Sequence, residues 1–148
     1  MPVRHAVVNR VVNPGMRALL RSPAGRWLGR HLAVIRYTGA RTGQRRELVA
    51  GYARAGGAVW IWVGGAEDKR WWRNFRTPAP VELWLAGEHV TGRGVAVEGS
   101  VDPETCREGV AAYDASVPGG GRAMRLEAPP ERLTSEDLRG IVMVRVDI

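Results

Sequence analysis

Two basic segments between Arg36 and Phe75 hold the residues best suited to chemistry. The first is Tyr37-Thr38-Gly39-Ala40-Arg41-Thr42-Gly43-Gln44-Arg45-Arg46, and the second is Asp68-Lys69-Arg70-Trp71-Trp72-Arg73-Asn74-Phe75. Glycines in the first leave backbone N–H groups unobstructed, and the guanidinium forks beside them match a phosphate or carboxylate. Indoles in the second offer flat apolar walls. An anion held beside a flat ring is the ligand this pair of segments describes.

Other chemistries find less support. The three histidines, His5, His31 and His89, are isolated, and the single cysteine, Cys106, allows no internal disulfide. No Cys/His set has zinc spacing, so no metal site is expected. No strand-turn-helix unit carries a GxGxxG turn, which argues against a doubly wound nicotinamide site. The chain has 22 basic and 15 acidic residues, a net charge of +7, and Lys69 is its one lysine. That sign favours anionic partners. The basic residues are spread along the whole chain rather than gathered in a nucleic-acid-binding motif, so no nucleic-acid partner is expected.

The elements that must position these residues follow from pattern. Leu32–Thr38 reads as a strand, 39–43 as a turn and Leu48–Arg54 as the returning strand, with Ala55-Gly56-Gly57 turning tightly into Ala58–Val63. Asp68 is placed to cap a helix from Lys69 to Arg76, which Thr77-Pro78-Ala79-Pro80 ends. Val81–Leu85 then pairs through Ala86-Gly87-Glu88 with His89–Val97. Asp102-Pro103-Glu104 starts a helix running to Ala115, with proline at its first position and acid near the positive dipole end. Residues 117–132 read as a mobile loop, Thr134-Ser135-Glu136-Asp137 as a short helix start, and Ile141–Val146 as a last strand.

Hairpin-linked strands in this order suit a small antiparallel barrel, an α+β architecture of about six strands. With 148 residues, one domain spanning 1–148 is expected. Within it, residues 1–31 form a basic amphipathic helical segment that covers the barrel or touches a membrane surface. No apolar run is long enough to span a bilayer and no signal peptide is evident, so a cytoplasmic protein with peripheral membrane contact at most is expected.

The order Tyr37-Thr38-Gly39-x-Arg41-Thr42-Gly43-x-x-Arg46, a hairpin, Gly64-Gly65-Ala66-Glu67, then Lys69-x-Trp71-Trp72-Arg73-Asn74-Phe75 and the strand Val81–Leu85 resembles the deazaflavin-dependent nitroreductase family. The resemblance covers residues 32–100. It implies a split β-barrel related to flavin-mononucleotide-binding oxidoreductases, and hydride transfer from reduced 8-hydroxy-5-deazaflavin coenzyme (F-420) to a nitroaromatic, quinone or activated-alkene acceptor. Carried over by position, Arg41, Thr42, Gly43 and Arg46 grip the phosphate and acidic tail, Lys69 and Arg73 flank the groove, and Trp72 with Asn74 borders the ring; Gly64 and Gly65 are further cofactor-binding positions, whose backbone amides are candidate donors to the oxygen that gains charge. Tyr113 is the candidate proton or hydrogen-bond donor to the acceptor, with plain packing as its competing role. FMN is the alternative cofactor, a non-catalytic ligand-binding barrel the alternative function, and a monomer or homodimer the expected assembly. Departures from the family stand at Ala40, in place of an arginine, and at Trp62-Val63, in place of a Ser-Lys pair.

Overall fold

In a computed structural model of the chain, the residues described are 30–148 together with Ala18. The expected helical segment over 1–31 lies almost wholly outside them. Among the described residues six strands follow in sequence: β1 (Leu32–Thr38), β2 (Arg45–Ala55), β3 (Ala58–Trp62), β4 (Ala79–Leu85), β5 (Glu88–Glu98) and β6 (Val142–Asp147). They close an antiparallel barrel in the order β1-β2-β3-β6-β5-β4. Among residues 30–148, the α-helices α1 (Pro103–Ser116), α2 (Gly120–Ala123) and α3 (Ser135–Leu138) accompany the barrel in an α+β split-barrel fold.

The chain divides into two compact units. One runs to Gly51 and takes in Pro80–Gly92; the other joins Tyr52–Ala79 to Arg93–Ile148. In the first, Ile35 pairs with Leu48 of β2 and Leu83 of β4; Ala33, Ile35 and Tyr37 are buried on one face of β1 and Val34 on the other. The hairpin joining β4 to β5 turns at Ala86 and Gly87, with φ of 50° and 83°. Two successive positive φ angles match the strand twist in a two-residue hairpin.

In the second unit β3 is central, pairing with β2 and with β6. Its outer face packs under α1: a Cβ on Gly109 would lie 2.5 Å from Trp60 Cε3, so glycine lets the helix approach the indole. Trp60, Cys106, Val110, Tyr113, Met124, Leu138 and Met143 form one buried cluster there. Asp102 caps α1 by accepting from the Thr105 N–H at 3.2 Å. Thr134 and Asp137 form a reciprocal capping box on α3.

Two expectations need correction. The helix expected over Lys69–Arg76 with Asp68 as its cap is instead a pair of 3₁₀ turns, Ala66–Asp68 and Trp71–Phe75, and Asp68 closes the first of them. Gly65, left-handed at φ 65°, starts the first turn, and extended backbone at Lys69 separates the two. Residues 117–132, expected as a loose loop, contain α2 and a 3₁₀ turn at Pro130–Arg132. Arg107 explains their order: its Nη1 donates to Pro130 O at 2.7 Å and to Leu133 O at 2.5 Å, while Glu104 holds the rest of the fork. Met124 and Leu133 add buried apolar area.

Burial, with the Asp102 charge adding to it, pushes the Cys106 thiol from 9.0 up to about 12. A thiol that ionises more readily in the unfolded chain draws the equilibrium toward unfolding as pH rises. The stabilisation is whole below the unfolded value and falls away between 9.0 and about 12. Its full size is on the order of 4 kcal/mol. Urea unfolding of Cys106→Ala beside the native chain across this range should show a flatter alkaline loss in the variant; parallel losses would refute the assignment.

Candidate functional site

The expected site residues fall into two groups, one in each unit. In the first unit the β1–β2 turn is closed by two backbone bonds of 2.8 Å, Gly39 N–H to Gln44 O and Gly43 N–H to Gly39 O. Gly43 takes a left-handed φ of 69°, which a side chain would strain. Thr42 Oγ1 accepts from the Gln44 N–H at 3.3 Å. A Cβ on Gly39 would stand 3.0 Å from Thr42 Oγ1 and 3.7 Å from Arg46 Nε. The bare glycine therefore has the threonine hydroxyl and the Arg46 guanidinium converging on it.

Register separates the two adjacent arginines. Arg46 lies opposite Tyr37, on the buried face of β1, whereas Arg45 lies opposite exposed Thr38. Desolvation raises the Tyr37 pKa, with Arg46 pulling it the other way, which marks the guanidinium as close to the phenol. Arg41, Arg45 and Arg46 are exposed and make no ion pair with a carboxylate among the described residues. Arg36, one residue before Tyr37, differs entirely. Its Nη2 reaches Glu47 Oε2 at 2.6 Å, its Nη1 reaches Glu82 Oε2 at 3.6 Å, and its guanidinium lies 4.7 Å over the Trp84 ring.

Pairing of β1 with β4 runs only from Ala33↔Leu85 to Arg36↔Glu82. Beyond it Pro80 has no N–H to offer, and the seam opens. A cavity of about 230 Å³ occupies this end, lined by Tyr37, Thr38, Arg45, Pro80, Glu82 and Thr91 among others. Hydroxyls and one unpaired guanidinium thus border a hollow next to the glycine turn.

In the second unit Gly64 lies under the Trp62 indole, where a Cβ would meet Cη2 at 3.3 Å. Trp72 is 4 % exposed, and its Nε1 donates to Ala66 O at 2.9 Å. The Arg73 and Arg76 guanidinium carbons lie 5.6 and 4.9 Å from its ring centre. Trp72 is accordingly a packed anchor that presents cations, while Trp71 is half-buried and meets Phe75 edge-on at 6.3 Å. Asn74 Nδ2 donates to Trp71 O at 2.8 Å, which tightens the turn. Lys69, Arg70 and Arg73 are exposed.

Tyr113 is buried in the α1 cluster, its ring 5.8 Å from Trp62 and tilted by 53°. Burial raises its pKa, so the hydroxyl keeps its proton at neutral pH. That hydroxyl makes no hydrogen bond with the described residues, yet it is not sealed from solvent without a partner. It is equipped as a donor.

Sequence reasoning assigned nothing to Glu47, Glu82 or Tyr37. The signal was available in the hairpin: a turn over 39–44 sets Arg36 opposite Glu47 and Tyr37 opposite Arg46.

No protein-family model matches the chain, and no curated protein matches it. Solved structures do resemble it. An F-420-H2 dependent reductase (FDR-A) superposes with a TM-score of 0.54 at 15% identity, over 80% of this chain and 95% of that one. A protein described as a domain-swapped dimer gives 0.55 at 15% identity, over 88% and 98%. HutZ, a heme storage protein from Vibrio cholerae, gives 0.52 at 14% identity, over 84% and 85%. At such identities the likeness is one of fold. Among the described residues, no helix is long and apolar enough to cross a membrane.

Proposed function

We propose that this chain is an oxidoreductase that binds the reduced deazaflavin coenzyme F-420 and delivers its hydride to a nitroaromatic, quinone or activated-alkene acceptor. The observation that carries the reading is the uncompensated charge of the glycine turn. Arg41, Arg45 and Arg46 lack a carboxylate partner among the described residues, whereas Arg36 on the same hairpin has two. Exposed guanidiniums gathered at a turn with unhindered N–H groups suit a phosphate and the carboxylates that follow it. The shared fold with an F-420-H2 dependent reductase supports the same reading.

Each residue then has a task. Arg46, Arg41 and the Thr42 hydroxyl bind the anionic tail, and Gly39 and Gly43 keep the turn bare enough for backbone approach. Lys69 and Arg73 add positive charge in the second unit, with Trp72 and Asn74 fixing the turn that presents them. Gly64 and Gly65 leave backbone N–H groups free for a ring edge. The Tyr113 hydroxyl, protonated at neutral pH, donates to an oxygen that gains charge on the acceptor. The coenzyme, when bound, supplies the hydride-bearing carbon, so the protein needs no acid-base pair of its own. One domain, a cytoplasmic location and a monomer or homodimer accompany this proposal.

Oxidation of reduced F-420 by menadione, followed by absorbance with and without the protein, tests it. Protein-dependent oxidation is the expected result. Binding of the coenzyme without oxidation by menadione, a nitroaromatic or an activated alkene would leave a ligand-binding barrel in its place.

A further inference from the structure

A cavity of about 410 Å³ lies wholly in the second unit, between the first turn of α1 and the outer face of β5 and β6. Val95, Ala96, Val97 and Val101 are its apolar lining residues. Val101 is 75% exposed, the most exposed large hydrophobic residue among those described, and it stands at the rim. An aliphatic side chain beside a hollow of ligand size extends the apolar lining that a ligand would meet.

Charge at the rim selects what fills it. Three carboxylates line the cavity. Glu98 is held by the Arg76 fork at 3.1 and 2.9 Å, and Asp147 accepts from Arg145 Nε at 3.0 Å. Asp102 faces no cation among the described residues. Its Oδ1 accepts the Thr105 N–H at 3.2 Å, a bond that fixes the carboxylate beside Val101 and favours its ionised form. Arg145 is neutralised by Asp147 and spread over the Trp60 ring at 5.5 Å, so among the described residues Asp102 is the rim carboxylate with no cationic side chain beside it, its charge met in part by the N-terminus of α1.

We propose that this cavity binds a small organic ammonium ion, with its hydrocarbon body on Val95, Val97 and Val101 and its charge against Asp102. The site is independent of the coenzyme reading, since it uses none of the same residues and takes the opposite charge.

Methyl and amide NMR of the intact chain, titrated with hexylammonium, hexanol and hexanoate, tests the proposal. Hexylammonium should move the Thr105 amide and the Val95, Val97 and Val101 methyls saturably, about three- to fivefold more tightly than hexanol, as befits an exposed ion pair. Hexylammonium should also bind roughly fivefold more tightly than butylammonium, because two further methylenes leave water in part. Asp102→Asn keeps a capping oxygen and should abolish the preference for the ammonium; Val101→Ser should weaken the chain-length dependence alone. Equal binding of the alcohol and the amine, tighter binding of hexanoate, or no saturable shift at these residues would overturn it.

Discussion

Alanine in place of Arg46 is expected to weaken binding of reduced F-420 about thirtyfold, the equivalent of about 2 kcal/mol for one charge-assisted contact to a phosphate. The side chain is chosen by register: it stands across from Tyr37 with its Nε aimed at the bare Gly39, while neighbouring Arg45 lies on the other face. Arg45→Ala should therefore cost less. Arg41 is the second exposed guanidinium of the same turn, and if the two act independently the double variant should lose about a thousandfold. No ion pair among the described residues is broken in either variant, so folding should be little changed. Thermal unfolding measured beside the fluorescence titration separates the two effects, and an Arg46→Ala protein with native affinity would remove this residue from the site.

Alanine at Gly99 is expected to destabilise the fold by at least about 3 kcal/mol. The added Cβ would lie 1.7 Å from Leu138 O and 3.1 Å from Ile141 O, both backbone atoms that no rotamer change can move aside. Gly99 also donates its N–H to Ile141 O at 2.8 Å, which ties the end of β5 to the segment entering β6. Relief would break that tie. Gly140→Ala is the matched control, because a Cβ there meets nothing within 4 Å; it should change stability by about 0.5 kcal/mol or less. Urea unfolding of the pair decides the matter, and equal midpoints would show that the chain relaxes around Gly99.

Strand periodicity was the most legible part of this chain. Leu32–Thr38 was readable to the residue because an apolar run rich in strand formers ends at a glycine turn, and Gly56-Gly57 and Asp102-Pro103 punctuate the chain as strongly. Six antiparallel strands in hairpin order then leave little choice beyond a barrel. The illegible parts depend on contacts far apart in sequence. Nothing local reveals that Arg107 reaches the carbonyls of Pro130 and Leu133, so 117–132 looks like loop. Likewise, a helical pattern over Lys69–Arg76 is locally reasonable, but the Trp72 N–H reaches back to Ala66 O and the segment winds as 3₁₀ turns. Adjacent tryptophans cannot both face one way, and it is Trp72, with its N–H on Ala66 O, that is buried. In the candidate site the basic turn was readable from residue types. Its cross-strand partners, Tyr37 with Arg46 and Arg36 with Glu47, needed the register.

On the proposed function, guanidiniums at the glycine turn hold the anionic tail of a deazaflavin. Titration of the protein with complete F-420 and with its bare deazaflavin chromophore, which lacks phosphate and acidic tail, tests this most directly. The complete coenzyme should bind far more tightly, salt should narrow the gap, and Arg41→Ala with Arg46→Ala should close most of it. Equal affinity for the two ligands, undisturbed by salt or by the double substitution, would contradict it.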